Sequence, residues 1–373
     1  MVNIDGRLSS VLDISRASAA VLVLLSHLNG RVFLTFAKMP EIYRGPVFKA
    51  WTFICGFGHQ AVIVFFVMSG FLVGGSLLRT GTSIPALKNY AASRIARMWS
   101  VLLPALILTF ILDMVGIRLD STYEPIYHGD WINDLSGFAA GCNLFFMQTV
   151  TCSAYGSNGP LWSLANEGWY YLLFPLTVIL FEHKSKRQTV GLLGLVLLGF
   201  IFVYQNSHSI AIYYSIWLFG VAISRIRCPF SPWIAWGGVG LYLISTRILF
   251  RFSVWLDPVY GLILDIFLGL LFALALASST GVSQPILGHK FFRWLADRSF
   301  SLYAIHLPII MFLCALLGKY ASFKFGSLPL LSQWMWCGLI FIIVILAANI
   351  FHVLFESRHI AFKKLLLKPA YLG

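Results

Sequence analysis

Long apolar runs almost free of charge dictate what this chain can fold into. Ala17–Leu25, Val101–Leu112 and Leu339–Ala348 contain no ionisable side chain. Only 11% of the 373 residues are charged and 59% are hydrophobic, whereas a soluble globular domain carries about 25% charged residues. The solvent for most of this chain is lipid, which excludes an ordinary soluble domain. Lys and Arg total 27 against 14 Asp and Glu, a net +13. In a soluble protein that balance would suggest nucleic acid as partner. Here it follows from the basic residues that collect in cytoplasmic loops, so no nucleic-acid partner is expected.

Apolar stretches near the ~20 residues that span a bilayer fall at 11–29, 60–79, 98–116, 161–181, 188–205, 211–226, 233–250, 259–278, 299–318 and 333–355. The expected fold is therefore an all-α integral membrane protein of about ten transmembrane helices, a single domain over 1–373. The first apolar stretch lacks small-residue cleavage chemistry after it and reads as a retained helix. Ser136–Val150 is an eleventh candidate, but it is short and carries Cys142, Asn143 and Gln148. Charge decides against its crossing. With both termini cytoplasmic and ten crossings, most basic residues lie inside, including the His183–Arg187 loop, while Asp120, Glu124, Asp130 and Asp134 lie outside. The loop 117–160 is then external and contains a re-entrant or interfacial segment. The six cysteines are too scattered for a zinc motif or a disulfide framework, and no metal is expected. Cys142 and Cys152 are the two close enough to pair.

An ionisable side chain inside a span costs several kcal/mol unless paired or hydrated, which makes each a candidate functional residue. Those singled out in the expected spans are Arg16, His27, Asp113, Glu167, Asp265 and His306. Arg16 and His27 are eleven residues apart, about three helical turns, so they share one helix face roughly 16 Å apart along the axis. That face offers a fixed cation near the cytoplasmic end and a titratable base near the external end. Snorkelling of Arg16 and an interfacial position for His27 are the plainer explanations. Asp113 and Asp265 either complete a polar cavity or pair with Arg118 and Arg251.

Five blocks in order resemble the membrane-bound acyltransferase 3 family, whose members acylate cell-surface sugars. They are ISRASAAVLVLLSH with its Arg-x10-His (Arg16, His27), VFFVMSGFLVGGSLLR (64–79), ASRIARMW with Arg94 and Arg97, PLWSLANEGWYYLLFP (160–175) and SFSLYAIHLP (299–308). The segment after Trp162 and Ser163 departs from the family, which often has a second acidic or amide residue and Phe after the glutamate. The resemblance implies an O-acyltransferase in a bacterial inner membrane. It would take an acyl group, above all acetyl, from cytoplasmic acetyl-CoA to a hydroxyl of a surface polysaccharide or lipid-linked glycan outside. No soluble catalytic domain follows, so a stand-alone unit is expected.

Acyl transfer from a thioester to a hydroxyl needs a base, oxyanion stabilisation and a grip on the donor. His27 suits the base, since an imidazole titrates near working pH. Glu167 is placed to orient it, and Arg16 completes the catalytic set and also reaches the donor. Arg94 and Arg97, one turn apart at the cytoplasmic start of a helix, suit coenzyme A phosphates. The plainer reading of that pair is the positive-inside signal. Trp162, Ser163, Tyr303 and His306 are candidate acceptor-binding residues. His306 could instead bond a neighbouring helix, and the aromatic residues around 162 could form an interfacial belt. Ser69, Gly70, Gly74 and Gly75 read as close-packing residues, and no Gly-x-Ser-x-Gly elbow argues for a covalent serine. The competing function is a glycan transporter or flippase, which predicts internal symmetry and broken helices that this sequence does not display.

Overall fold

The computed structural model describes residues 6–119, 134–182, 208–226, 231–250, 258–279, 289–321 and 323–368, with isolated positions between 189 and 199. In chain order the helices are α1 (Gly6–Val32), α2 (Pro46–Cys55), α3 (Gly58–Ser69), α4 (Gly75–Thr80) and α5 (Ile84–Leu119). There follow α6 (Gly137–Leu144), α7 (Leu161–Glu182), α8 (His208–Ile223), α9 (Pro232–Phe250) and α10 (Pro258–Ser278). The last are α11 (His289–Asp297), α12 (Ser299–Ala321), α13 (Leu331–Leu354) and α14 (His359–Leu367). Among the described residues there is no strand beyond isolated bridges.

Seven helical stretches among the described residues are long and apolar enough to cross a bilayer: Gly6–Val32, Pro46–Thr80, Ile84–Leu119, Leu161–Phe181, Tyr260–Ser278, Ser299–Ala321 and Leu331–Leu367. They coincide with seven of the ten expected spans. The expected spans 211–226 and 233–250 fall on α8 and α9, and 188–205 lies, isolated positions aside, outside the described residues. Along α13 the outward residues Met335, Leu339, Ile342, Leu346 and Ile350 are apolar and exposed, while Cys337, Ile340, Val344 and Ala348 are buried. An exposed apolar stripe of that length is what a helix with one face in lipid presents.

The chain divides into two compact units, each assembled from separate stretches: 1–19, 59–90 and 166–297 in the first, and 20–58, 91–165 and 298–373 in the second. In the first, a π-helical turn, Gly70–Gly74, joins α3 to α4 and α8 packs on it. A Cβ on Gly70 would lie 1.9 Å from the Trp217 carbonyl oxygen, and one on Gly220 2.0 Å from that of Val67. Only glycine allows the backbones so close. The close-packing reading of this segment holds for Gly70, Gly74 and Gly75.

Two helix-interior prolines explain where distant side chains attach. Proline has no N–H, so the carbonyl four residues earlier loses its donor. Pro308 in α12 frees the Ala304 carbonyl, and Asn158 Nδ2 donates to it at 2.8 Å. Pro175 in α7 frees the Tyr171 carbonyl, which accepts from the Tyr90 hydroxyl at 3.3 Å. In both cases a tertiary hydrogen bond fills the gap left in the helix.

The segment 134–160 belongs to the second unit. Its helix α6 has eight residues, about 12 Å of rise, too short to cross, as the charge argument required. Ser136 caps it, accepting from the Ala139 amide at 3.1 Å. A Cys142–Cys152 disulfide closes the following turn. Asn143 donates to the Ala139 and Ser153 carbonyls and accepts from the Tyr155 amide. Asp113, fully buried on α5, accepts from the Ser157 amide and hydroxyl, both at 2.7 Å. Asp113, for which the sequence left a polar cavity or pairing with Arg118 open, is thus a loop anchor. A chain reversal presents the amide and hydroxyl of one residue together, and a carboxylate accepts both. Gly156, at φ +53°, makes this approach possible, because a Cβ there would meet Asp113 Oδ2 at 2.3 Å. Burial and the carboxylates of Asp113 and Asp134 hold the Tyr155 phenol above its usual range.

Candidate active site

Two polar groupings of the second unit contain expected site residues. The deeper one joins α1 and α12. His27 and His306 face each other with ring centres 5.0 Å apart and planes tilted by 46°. His27 is half-buried and His306 is 1% exposed. His306 Nδ1 lies 2.8 Å from the Tyr303 carbonyl oxygen and 3.2 Å from that of Leu302. Carbonyl oxygens only accept, so Nδ1 carries the proton, and in the neutral ring Nε2 keeps a lone pair. That Nε2 is buried and has no hydrogen-bond partner.

One turn earlier on α12, the Tyr303 hydroxyl lies 2.6 Å from Ser163 Oγ and 3.1 Å from the Pro160 carbonyl. Ser163 is 5% and Tyr303 6% exposed. These two expected acceptor-binding residues bond each other and clamp the start of α7 to α12. Trp162 beside them is half-buried.

The second grouping centres on Glu356, just past α13 and fully buried. Its Oε1 forms an ion pair with Arg97 Nη2 at 2.6 Å. Its Oε2 accepts from the Ser301 amide at 3.1 Å, from the Ser301 hydroxyl, and from His352 Nδ1 at 3.1 Å. The amide of Ser301 is in the first turn of α12, whose donors lack helical acceptors, so Glu356 acts as a cap supplied by another helix. The Arg97 guanidinium also lies 5.6 Å from the Phe300 ring centre. Arg94, one turn away on α5, is half-buried. Of the expected donor-binding pair, Arg97 already has a carboxylate partner within the fold.

Arg16 and Glu167 belong to the first unit. Arg16 pairs with Asp13, one turn earlier on α1 and 5% exposed. Its side chain keeps 27% exposure, and its buried Nε has no partner. Glu167 ends a directed chain of hydrogen bonds. Trp217 Nε1 donates to Ser69 Oγ at 3.2 Å, Ser69 lies 3.0 Å from the Tyr171 hydroxyl, and Tyr171 donates to Glu167 Oε2 at 2.6 Å. Trp can only donate and a carboxylate can only accept, which fixes the sense of every link. Ser69, read from the sequence as a packing residue alone, is a link in this chain. Asp265 bonds His59 Nε2 at 2.7 Å and the Tyr213 hydroxyl at 3.0 Å, while its other expected partner, Arg251, lies outside the described residues.

A family model described as an acyltransferase domain matches residues 10–352. The chain belongs to that acyltransferase family. The match contains every candidate site residue from Arg16 to His306, and stops four residues short of Glu356. Among curated relatives of this chain, an O-acetyl transferase of Shigella phage Sf6 is 28% identical over 222 residues, 57% of this chain and 58% of the relative. The peptidoglycan O-acetyltransferase OatA of Listeria monocytogenes is 25% identical over 292 residues, 68% of this chain and 45% of the relative. The chain thus spans about half the length of these relatives. No solved structure matches it.

Sequence reasoning missed Glu356, Asp13 and His59. Asp13 was within reach, since it stands three residues before Arg16, the spacing of neighbours on a helix face. Glu356 offered a weaker signal, a carboxylate four residues after His352.

Proposed function

We propose that this protein is an integral-membrane O-acyltransferase that moves an acetyl group from cytoplasmic acetyl-CoA to a hydroxyl of a surface polysaccharide or lipid-linked glycan on the external side. The observation that carries this reading is the His27–His306 pair, two imidazoles in a chain whose family transfers acyl groups. His27, the more exposed ring, is the base. The acceptor hydroxyl attacks the thioester carbonyl, its proton passes to His27, and the same proton leaves on the departing thiolate.

Donor and acceptor meet because α1 is unbroken from Gly6 to Val32 and carries both Arg16 and His27. The narrow pantetheine arm extends along this face while Arg94 and Arg97 hold the nucleotide phosphates at the cytoplasmic end. The orientation, ten crossings with cytoplasmic termini in a bacterial inner membrane, is supported by the positive-inside balance and by the Cys142–Cys152 disulfide, which belongs on an oxidising side.

The test is transfer from radiolabelled acetyl-CoA to polysaccharide by the full chain in membranes. Label transferred by the wild type and lost in His27→Ala supports the reading. A well-expressed His27→Ala protein that acylates at the wild-type rate removes the base assignment. Cysteines introduced near 155 and 185 should label from opposite sides of the membrane, and labelling from the same side would break the ten-crossing topology.

A further inference from the structure

We infer that His306 is a positioning residue for His27: its buried Nε2 takes the N–H of the His27 ring and leaves the other His27 nitrogen as the base. This rests on the O-acyltransferase reading above. A histidine base works when its second nitrogen is held by an acceptor that fixes tautomer and ring direction, as a carboxylate does in many triads. The sequence suggested Glu167 for this duty, and its Oε2 accepts from the Tyr171 hydroxyl. Among the described residues of the unit that contains His27, the imidazole beside its ring is that of His306.

Three observations carry the assignment. The tautomer of His306 is set by the carbonyls of Tyr303 and Leu302, which hold the Nδ1 proton and turn Nε2 into an acceptor. That acceptor is in a residue only 1% exposed and is unpartnered. The ring against it is His27, 5.0 Å away between centres. Were the two nitrogens turned towards each other, that separation less the two ring radii would be about 3 Å, the length of an N–H···N hydrogen bond, and rotation of the half-buried His27 ring is the adjustment that makes it. The neighbouring Tyr303–Ser163–Pro160 clamp holds α12 one turn away, which makes His306 the fixed partner and His27 the adjustable one.

The reaction balances without a net proton for His306. The acceptor oxygen forms a bond to the acetyl carbon, the carbon–sulfur bond breaks, and the hydroxyl proton travels through His27 to sulfur. His306 stays neutral and accepts the hydrogen bond that strengthens as His27 becomes cationic.

The experiment measures kcat and KM for [1-14C]acetyl-CoA in membranes containing the full chain, with label counted in host polysaccharide. His306→Leu is expected to lower kcat about 100-fold with KM changed less than twofold. His306→Gln, whose amide oxygen reaches the Nε2 position, should recover at least tenfold of that loss. His306→Asn, which imitates Nδ1 but not Nε2, should be as slow as the leucine variant. Should the leucine chain fail to accumulate, the Gln and Asn variants decide, and equal rates for these two overturn the proposal. A His306→Leu enzyme above half the wild-type kcat, beside an inactive His27→Ala enzyme, overturns it while leaving the base assignment intact. Activity in both His27→Ala and His306→Leu removes the underlying reading as well.

Discussion

The two polar groupings in the second unit are built from the same helix, α12, and differ in how completely they are satisfied. At Glu356, Oε2 accepts from Ser301 and His352, and Oε1, which has no hydrogen bond, is held by the Arg97 charge at 2.6 Å. At His306 only one ring nitrogen is bonded and the other is buried and open. A buried polar group without a partner is destabilising by about 1–3 kcal/mol, so a fold keeps one where chemistry uses it. The closed cluster holds helices together, and the open one waits for a proton donor.

Substitutions separate the two behaviours. His27→Ala should have the largest effect, a loss of about 10,000-fold in transfer with little change in thermal midpoint, because the half-buried ring makes no stabilising hydrogen bond that the fold depends on. A midpoint that falls together with the rate would make His27 structural. Glu356→Ala should act in the opposite way. It strands the Arg97 charge and uncaps α12, at about 3 kcal/mol of stability, read as a lowered unfolding midpoint in detergent. An unshifted midpoint would make the ion pair dispensable.

Smaller effects sharpen the contrast among residues that looked alike. Arg94→Ala should raise the KM for acetyl-CoA about tenfold, roughly 1.4 kcal/mol, whereas Arg97→Ala should in addition lower the midpoint through the loss of its Glu356 pair. Identical outcomes for the two arginines would argue that Glu356 does not distinguish them. Ser163→Ala should lose about 1 kcal/mol of stability and leave acceptor use near wild type, since its hydroxyl is committed to Tyr303 and Pro160. A selective loss of acceptor use would return Ser163 to the binding site.

What the sequence made legible follows from the range of the interactions involved. Apolar runs report lipid exposure residue by residue, so seven spans coincide with helices. Arg16 and His27 announced themselves because charge and imidazole are conspicuous within such runs. Glu356 did not, because it sits beyond the apolar part of α13 and is buried by residues as distant as Arg97. For Asp113 the one partner that spacing could name was Arg118, five residues along the chain, whereas it accepts from Ser157, 44 residues away. Local spacing can suggest that a carboxylate needs a partner, but only the folded chain selects it. Asp13, within one turn of Arg16, marks the opposite limit and was readable from spacing alone.

The bond from Asn158 to the carbonyl opened by Pro308 also sets an order in time. The two partners are 146 residues apart, and ribosomes add roughly 5–20 residues per second, so the asparagine is added to the chain roughly 7–30 s before its acceptor. Throughout that interval the loop 134–160 must rely on bonds made within itself and to α5, including the Asp113 anchor. Synthesis of α12 then meets a docking surface already in place, and the carbonyl that proline leaves open is satisfied as the helix arrives.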